Sequence, residues 1–129
     1  MNSKHILQSP LGKHSQYVSQ YDPGLLCPIP RNKTWQDYGY SKPPYSGVDI
    51  WNAYEISWLN NRGLPQVAAG EFWFPLASPN IIESKSLKLY LNSFNQNIFD
   101  SKDHVKKTLE ADLSVCAGKS TEVKLSSID

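Results

Sequence analysis

Cysteine is scarce in this 129-residue sequence, with Cys27 and Cys116 the only two. Two thiols cannot make the disulfide scaffold on which small secreted domains rely, and no apolar leader opens the chain, so a reducing cytoplasm is the expected setting. Zinc-like spacing is missing as well: no Cys or His pair is close in sequence, and His5, His14 and His104 are scattered. No structural metal is expected. Nor does one sign of charge dominate. Thirteen Lys and Arg against twelve Asp and Glu leave a formal charge of +1, too weak a field to recruit nucleic acid or an anionic membrane. The longest apolar run, Phe72 to Ala77, has six residues with Pro75 inside it. Crossing a bilayer takes about 20, so a water-soluble chain is expected. The length suits one domain and not a multidomain enzyme.

What is present is unevenly spread. Six of the nine prolines (Pro10, Pro23, Pro28, Pro30, Pro43, Pro44) fall in the first 44 residues, where they break helical and strand periodicity. Residues 1–47 therefore read as an irregular segment. Its aromatics (Tyr17, Tyr21, Trp35, Tyr38, Tyr40, Tyr45) are more than a solvated arm carries, so part of it is expected to pack, within this chain or on another.

Residues 48–129 read as a folded module. Val48, Ile50, Tyr54, Ile56 and Trp58 occupy alternate positions, broken only by Asn52, which predicts a half-buried strand over 48–59. Asn60-Asn61-Arg62-Gly63 supplies turn residues that tolerate positive φ, and a second strand over 67–76 closes an antiparallel hairpin. Gly70 within it marks a bulge or a close backbone approach. Leu87, Tyr90 or Leu91, and Phe94 at helical spacing predict a short helix over about 84–94. A second helix follows, with Ser101 as N-cap, Asp103 in the first turn, a Val105, Leu109, Leu113 stripe and Gly118 at its end. Thr121 to Ser127 alternates again and predicts a last strand. A terminal strand with no tight-turn partner invites pairing with another chain, so the module is expected to lack its last strand. The other possibility is that this strand docks on the first hairpin.

The densest polar cluster is Glu83-Ser84-Lys85-Ser86-Leu87-Lys88-Leu89-Tyr90, where a loop enters a helix. Unpaired N–H groups and the positive dipole end of a helix start, joined by two hydroxyls and two ammoniums, suit a phosphate. Glu83 could accept a planar N–H pair, such as the N1–H and 2-amino of a guanine, because a carboxylate offers two parallel acceptors. The plainer reading is that Ser84 or Glu83 caps the helix while the lysines face water.

The same string, continued by Leu91-Asn92-Ser93-Phe94-Asn95-Gln96, resembles the signature of the NADPH-dependent 7-cyano-7-deazaguanine reductases, the nitrile reductases of queuosine biosynthesis. The resemblance extends through Tyr21-Asp22, Leu25-Leu26, Asp49-Ile50-Trp51, Tyr54-Glu55, Ser57-Trp58-Leu59-Asn60, Gly63-Leu64-Pro65-Gln66-Val67, Thr108-Leu109-Glu110 and Asp112-Leu113. It is nearest to the N-terminal half of the longer, two-module enzymes. It implies an α+β tunnelling fold (T-fold), an antiparallel sheet backed by two helices, with modules joined edge to edge into a homo-oligomer. It also implies a reaction in which a cysteine thiolate adds to the substrate nitrile and two NADPH molecules reduce the resulting thioimide to the aminomethyl product. Under it Glu83 binds the deazaguanine edge, and Ser84, Lys85, Ser86 and Lys88 help bind NADPH.

This chain departs from the family where the chemistry would sit. The family's catalytic stretch reads Cys-Pro-x-Thr-Gly-x-Pro-Asp, and Gly63 and Pro65 fix its register here, placing Leu59 at the nucleophile and Gln66 at the acid. An aliphatic side chain cannot attack a nitrile and an amide does not donate a proton at neutral pH, so no catalytic residue is expected in this chain. Cys116 reads as a small buried hydrophobe, Cys27 lacks a basic partner by spacing, and His104 reads as a surface residue. Three classes are open: the binding half of a nitrile reductase whose catalytic half lies in further polypeptide, a non-catalytic purine- or pterin-binding module, and an RNA-contacting piece, which the near-zero charge disfavours.

Overall fold

The computed structural model describes residues 20–31 and 47–128, with the backbone alone at Asn52 and Ala53. Tyr17, Trp35, Tyr38, Tyr40 and Tyr45, most of the 1–47 segment, and His5 and His14 lie outside the described residues.

The architecture is α+β. A 3-10 turn at Pro23–Leu25 leads to β1 (Pro28–Pro30), followed by β2 (Val48–Leu59), β3 (Pro65–Pro75), β4 (Asn80–Ile82), α1 (Ser84–Asn92), α2 (Lys102–Ala117) and β5 (Glu122–Ser126). β2, β3 and β5 form an antiparallel sheet in the order β2-β3-β5, while β1 and β4 form a separate antiparallel ribbon. The last strand is thus not left without a partner. It docks on the hairpin along β3, from Ala69 opposite Ser126 to Trp73 opposite Glu122.

The β2–β3 turn forms where Asn60 and Gly63 allow it. Asn60 Oδ1 accepts from the N–H groups of Arg62 (2.9 Å) and Leu64 (3.0 Å), and Gly63 takes φ 76°. Such positive φ is costly for a side chain with a Cβ.

The alternation expected for β2 fails in its first half. Trp51 pairs with Phe72 but Tyr54 pairs with Gly70, so β2 carries one extra residue between them. A bulge of this kind reverses which parity faces the core. Val48 and Ile50 are consequently 46% exposed, whereas Trp51 packs on the core, edge-on to Phe74 at 5.4 Å. Beyond the bulge Ile56 and Trp58 are buried as the even-numbered pattern requires. Gly70 is the close approach: a Cβ there would lie 2.5 Å from Ile56 Cδ1.

One face of the sheet buries Ile56, Trp58, Ala68, Phe72, Phe74 and Val123 in a core shared with both helices. α1 contributes Leu87, Tyr90 and Leu91, and α2 contributes Val105, Leu109, Leu113 and Ala117. The signals read for α2 operate as read. Ser101 Oγ accepts from His104 N at 3.0 Å, and Gly118 closes the helix at φ 83°. No helix among the described residues is long and apolar enough to cross a membrane.

Residues 21–31 lie against this core. Tyr21 packs edge-on to Phe94 (5.2 Å) and Phe99 (6.0 Å), and its hydroxyl donates to Asp112 Oδ2, which also accepts from Tyr90 at 2.6 Å. At the other end Arg31, with its side chain 10% exposed, donates to Asp49 Oδ2 (3.0 Å) and Ser78 Oγ (3.1 Å). A nearly buried guanidinium needs such partners, and here they tie β1 to β2 and to the β3–β4 loop.

Candidate functional site

β4 delivers the chain into α1 through Glu83, which is the N-cap residue. Its backbone is extended (φ −64°, ψ 132°), and its carboxylate folds back over the first turn. Oε1 accepts from Ser86 N at 2.8 Å and Oε2 from Lys85 N at 3.0 Å. The first-turn amides that made a helix-start phosphate attractive therefore already hold an anion, and it belongs to the chain. Each carboxylate oxygen spends one acceptor direction in this way and keeps another.

The five residues singled out in the sequence do not share one environment. Ser84, Lys85 and Lys88 are exposed, and Ser84 and the adjacent Lys85 lie four and three positions before Lys88, so they share one helix face. Leu87, Tyr90 and Leu91 take the opposite face into the core. Ser86 belongs with the inward group: it is 3% exposed, and its hydroxyl donates to Glu83 O (2.7 Å) and accepts from Cys27 N (3.0 Å). The backbone N–H of Glu83 in turn donates to Cys27 O at 2.9 Å. In this structure the Ser86 hydroxyl is committed to the protein and faces no solvent.

Leu59 and Gln66 sit at the turn end of the hairpin. Leu59 pairs with Pro65, and its backbone also exchanges hydrogen bonds with the α1–α2 loop, donating to Asn97 O and accepting from Phe99 N, both at 2.9 Å. Gln66 pairs with Trp58 and donates its amide to Pro65 O at 2.9 Å. Beside them is a cavity of about 320 Å³ lined by Trp58, Asn60, Gln66, Phe99, Asp100 and Lys102 among others. None of its lining residues is a cysteine or a histidine.

Both cysteines are free thiols and half-buried. Burial first, and then the neighbouring Cys27, push the Cys116 thiol up to about 11, the reverse of what a nucleophile needs. Cys116 lines a second cavity, of about 470 Å³, between the 3-10 turn and α2. His104 is exposed and its Nδ1 lies 3.0 Å from Asp100 Oδ1. No cluster of three or more His, Cys, Asp or Glu side chains suited to a metal ion occurs among the described residues.

Two features escaped the sequence. The first is the carboxylate of Asp112 shared by Tyr21 and Tyr90. Burial of each phenol first, and then that carboxylate, raise both tyrosines above their ordinary range. The second is the clasp between Cys27 and the Glu83–Ser86 turn. Neither has a local signal, because the partners lie 91 residues apart in one case and 59 in the other.

Residues 17–125 match the family described as nitrile reductase, 7-cyano-7-deazaguanine-reductase, N-terminal. Among curated proteins, the NADPH-dependent 7-cyano-7-deazaguanine reductase of Burkholderia ambifaria is 54% identical over 126 residues, a stretch that is 97% of this chain and 45% of that protein. The chain thus spans less than half the length of this relative.

Proposed function

This chain belongs to the N-terminal family of the 7-cyano-7-deazaguanine nitrile reductases, and from that membership we propose that it is the N-terminal module of an NADPH-dependent enzyme converting 7-cyano-7-deazaguanine to 7-aminomethyl-7-deazaguanine on the cytoplasmic route to queuosine in tRNA. The observation carrying this is the Glu83–Tyr90 motif at the start of α1, in a chain 54% identical to a reductase of that name. The fold is assigned as one tunnelling-fold module, whose sheet edges join other modules and second copies of the protein.

Reducing a nitrile to a primary amine takes up four electrons and four protons: two hydrides from two NADPH and two protons from the surroundings. NADPH would supply those hydrides. The residues here fit the binding of both reactants better than their transformation. Glu83 receives the N1–H and 2-amino of the deazaguanine edge on the acceptor directions its cap leaves open. Lys85 and Lys88, with the Ser84 hydroxyl, form an exposed face of two ammoniums and one hydroxyl, a donor set suited to the NADPH phosphates. Nucleophile and acid come from the catalytic module, because Leu59 has no nucleophilic atom and Gln66 no acidic proton.

Purified by itself, the chain is expected to give no NADPH oxidation with 7-cyano-7-deazaguanine, followed by loss of absorbance at the nicotinamide band. Turnover without any added protein would remove the assignment of a binding half. Calorimetry with the same nitrile separates this reading from a module that holds a purine or pterin of another kind: heat with guanine or a pterin but none with the nitrile favours the latter.

A further inference from the structure

The hydroxyl of Ser86 closes a ring of contacts around the one carboxylate on which the proposed recognition depends. Glu83 N donates to Cys27 O at 2.9 Å, Cys27 N donates to Ser86 Oγ at 3.0 Å, and Ser86 Oγ donates to Glu83 O at 2.7 Å. Ser86 is 3% exposed, so its hydroxyl finds its partners within the protein. Cys27 is itself held from both sides. Leu26, next to it, is buried in the core, and β1 starts at Pro28, opposite Ile82. Farther out the segment is pinned at Tyr21 by Asp112 and at Arg31 by Asp49 and Ser78.

We propose that Ser86 is a positioning residue and not a phosphate ligand: its hydroxyl locks the 21–31 segment onto Glu83 and so aims the Glu83 carboxylate. The mechanism is steric and electrostatic. With the ring closed, the Glu83 N–H is fixed by Cys27 O and its carbonyl by Ser86 Oγ together with Leu87 N (3.0 Å), which leaves only the side-chain torsions free. Those torsions are settled by the Lys85 and Ser86 amides. The carboxylate is then presented in one orientation before any ligand arrives, so a bound base edge spends nothing on ordering it. Without the hydroxyl, Cys27 N is left unpaired and Glu83 O keeps only Leu87 N, at 3.0 Å, of its two donors. The Cys27 carbonyl that fixes the Glu83 N–H is then held by one bond fewer, and the turn that carries the carboxylate loosens with it. The step from carboxylate aim to ligand affinity rests on the reading of Glu83 as the base-edge acceptor, whereas the aim itself does not.

Hydrogen exchange of the ¹⁵N-labelled chain, followed amide by amide, tests the proposal without a ligand. In Ser86→Ala the Cys27 amide is expected to exchange about tenfold faster, the size of one lost buried hydrogen bond. The Lys85 amide, which the Ser86 hydroxyl does not touch but the Glu83 carboxylate does, is expected to accelerate with it. Leu109 in α2 serves as the global reference, and Ser86→Thr, which keeps the hydroxyl, is expected to restore both amides. Faster exchange at Cys27 with Lys85 unchanged would overturn the proposal, because the hydroxyl would then hold the segment without aiming the carboxylate. If alanine does not fold, Ser86→Cys, nearly isosteric with a weaker acceptor, is read in the same way. In a parallel calorimetric arm with 7-cyano-7-deazaguanine, Ser86→Ala is expected to weaken the nitrile about tenfold and threonine to restore it. A wild-type chain that gives no heat counts against the reading of Glu83, and the exchange arm still decides the role of Ser86.

Discussion

Glu83 caps α1, under the proposed function the same carboxylate receives a base edge, and two substitutions pull these roles apart. In Glu83→Gln one oxygen remains to accept a first-turn amide, but the other position becomes an NH₂ facing an N–H that now holds its acceptor at 2.8 or 3.0 Å. One amide is orphaned, which costs about 1 kcal/mol, within the 0.5–2 typical of a lost cap. Glu83→Ser instead places a favoured capping side chain on an extended backbone already suited to it, so stability should stay within about 0.5 kcal/mol of wild type. Neither substitute can accept two N–H groups from a planar base edge. Each such bond to a charged acceptor is worth about 1.5–3 kcal/mol. Losing two is expected to weaken 7-cyano-7-deazaguanine by at least about a hundredfold, since 2.7 kcal/mol corresponds to that factor. Urea unfolding gives the first quantity and calorimetry on the chain the second. The informative variant is serine, stable but unable to bind. Wild-type affinity in Glu83→Ser would refute base-edge recognition and reduce Glu83 to a cap, whereas a stability loss above about 2 kcal/mol would refute the capping arithmetic.

Two further outcomes concern the frame that holds the site. An added Cβ at Gly70 meets Ile56 Cδ1 at 2.5 Å and Phe72 Cζ at 3.3 Å, both in fully buried side chains, so Gly70→Ala should destabilise by about 1–3 kcal/mol despite alanine's backbone advantage of about 0.5–1. Adding Ile56→Val, which removes Cδ1, should cost at least about 1 kcal/mol less than the two singles summed, and additivity in urea melts would refute the clash. Tyr90 is fully buried, and burial first and Asp112 second raise its pKa above the ordinary 10.0. A folded-state pKa above the unfolded one leaves stability intact below about pH 10 and erodes it above, by up to about 1.4 kcal/mol per pH unit for this phenol. Urea midpoints that stay level from about pH 8 to 11.5, or that fall as steeply in Tyr90→Phe, would contradict this.

What the sequence disclosed was whatever a short window can encode. Ser101, Gly118 and the Val105, Leu109, Leu113 stripe define α2 with partners no more than one turn away. Asn60 and Gly63 define the hairpin turn in the same way. The face of β2 was not legible, because the extra residue between Trp51 and Tyr54 is fixed by pairing with β3, and a single insertion moves Val48 and Ile50 from the core side to the solvent side. The β1–β4 ribbon was equally hidden. Its strands have three residues each, two of those in β1 are prolines, and long-range contacts of Tyr21 and Arg31 hold the segment in place.

The same distinction runs through the candidate site. Spacing alone places Ser84, Lys85 and Lys88 on one face of α1, and the structure keeps them there, exposed. Spacing cannot say that Ser86, the remaining member of the cluster, turns inward to meet a backbone N–H 59 residues earlier in the chain. Between Ser84 and Glu83 as the cap it does not choose, and in the structure Glu83 occupies the positive end of the helix. That occupation changes how the two proposed ligands would divide the surface. With the first-turn amides taken, a dinucleotide phosphate must be drawn by the side chains of Lys85 and Lys88, whose attraction is open to solvent and salt. A base edge gains from the same occupation, because the amides hold the carboxylate it needs in place. One capping interaction thus takes the Lys85 and Ser86 amides away from a phosphate and, under the proposed recognition, turns the helix start into a mount for a ring.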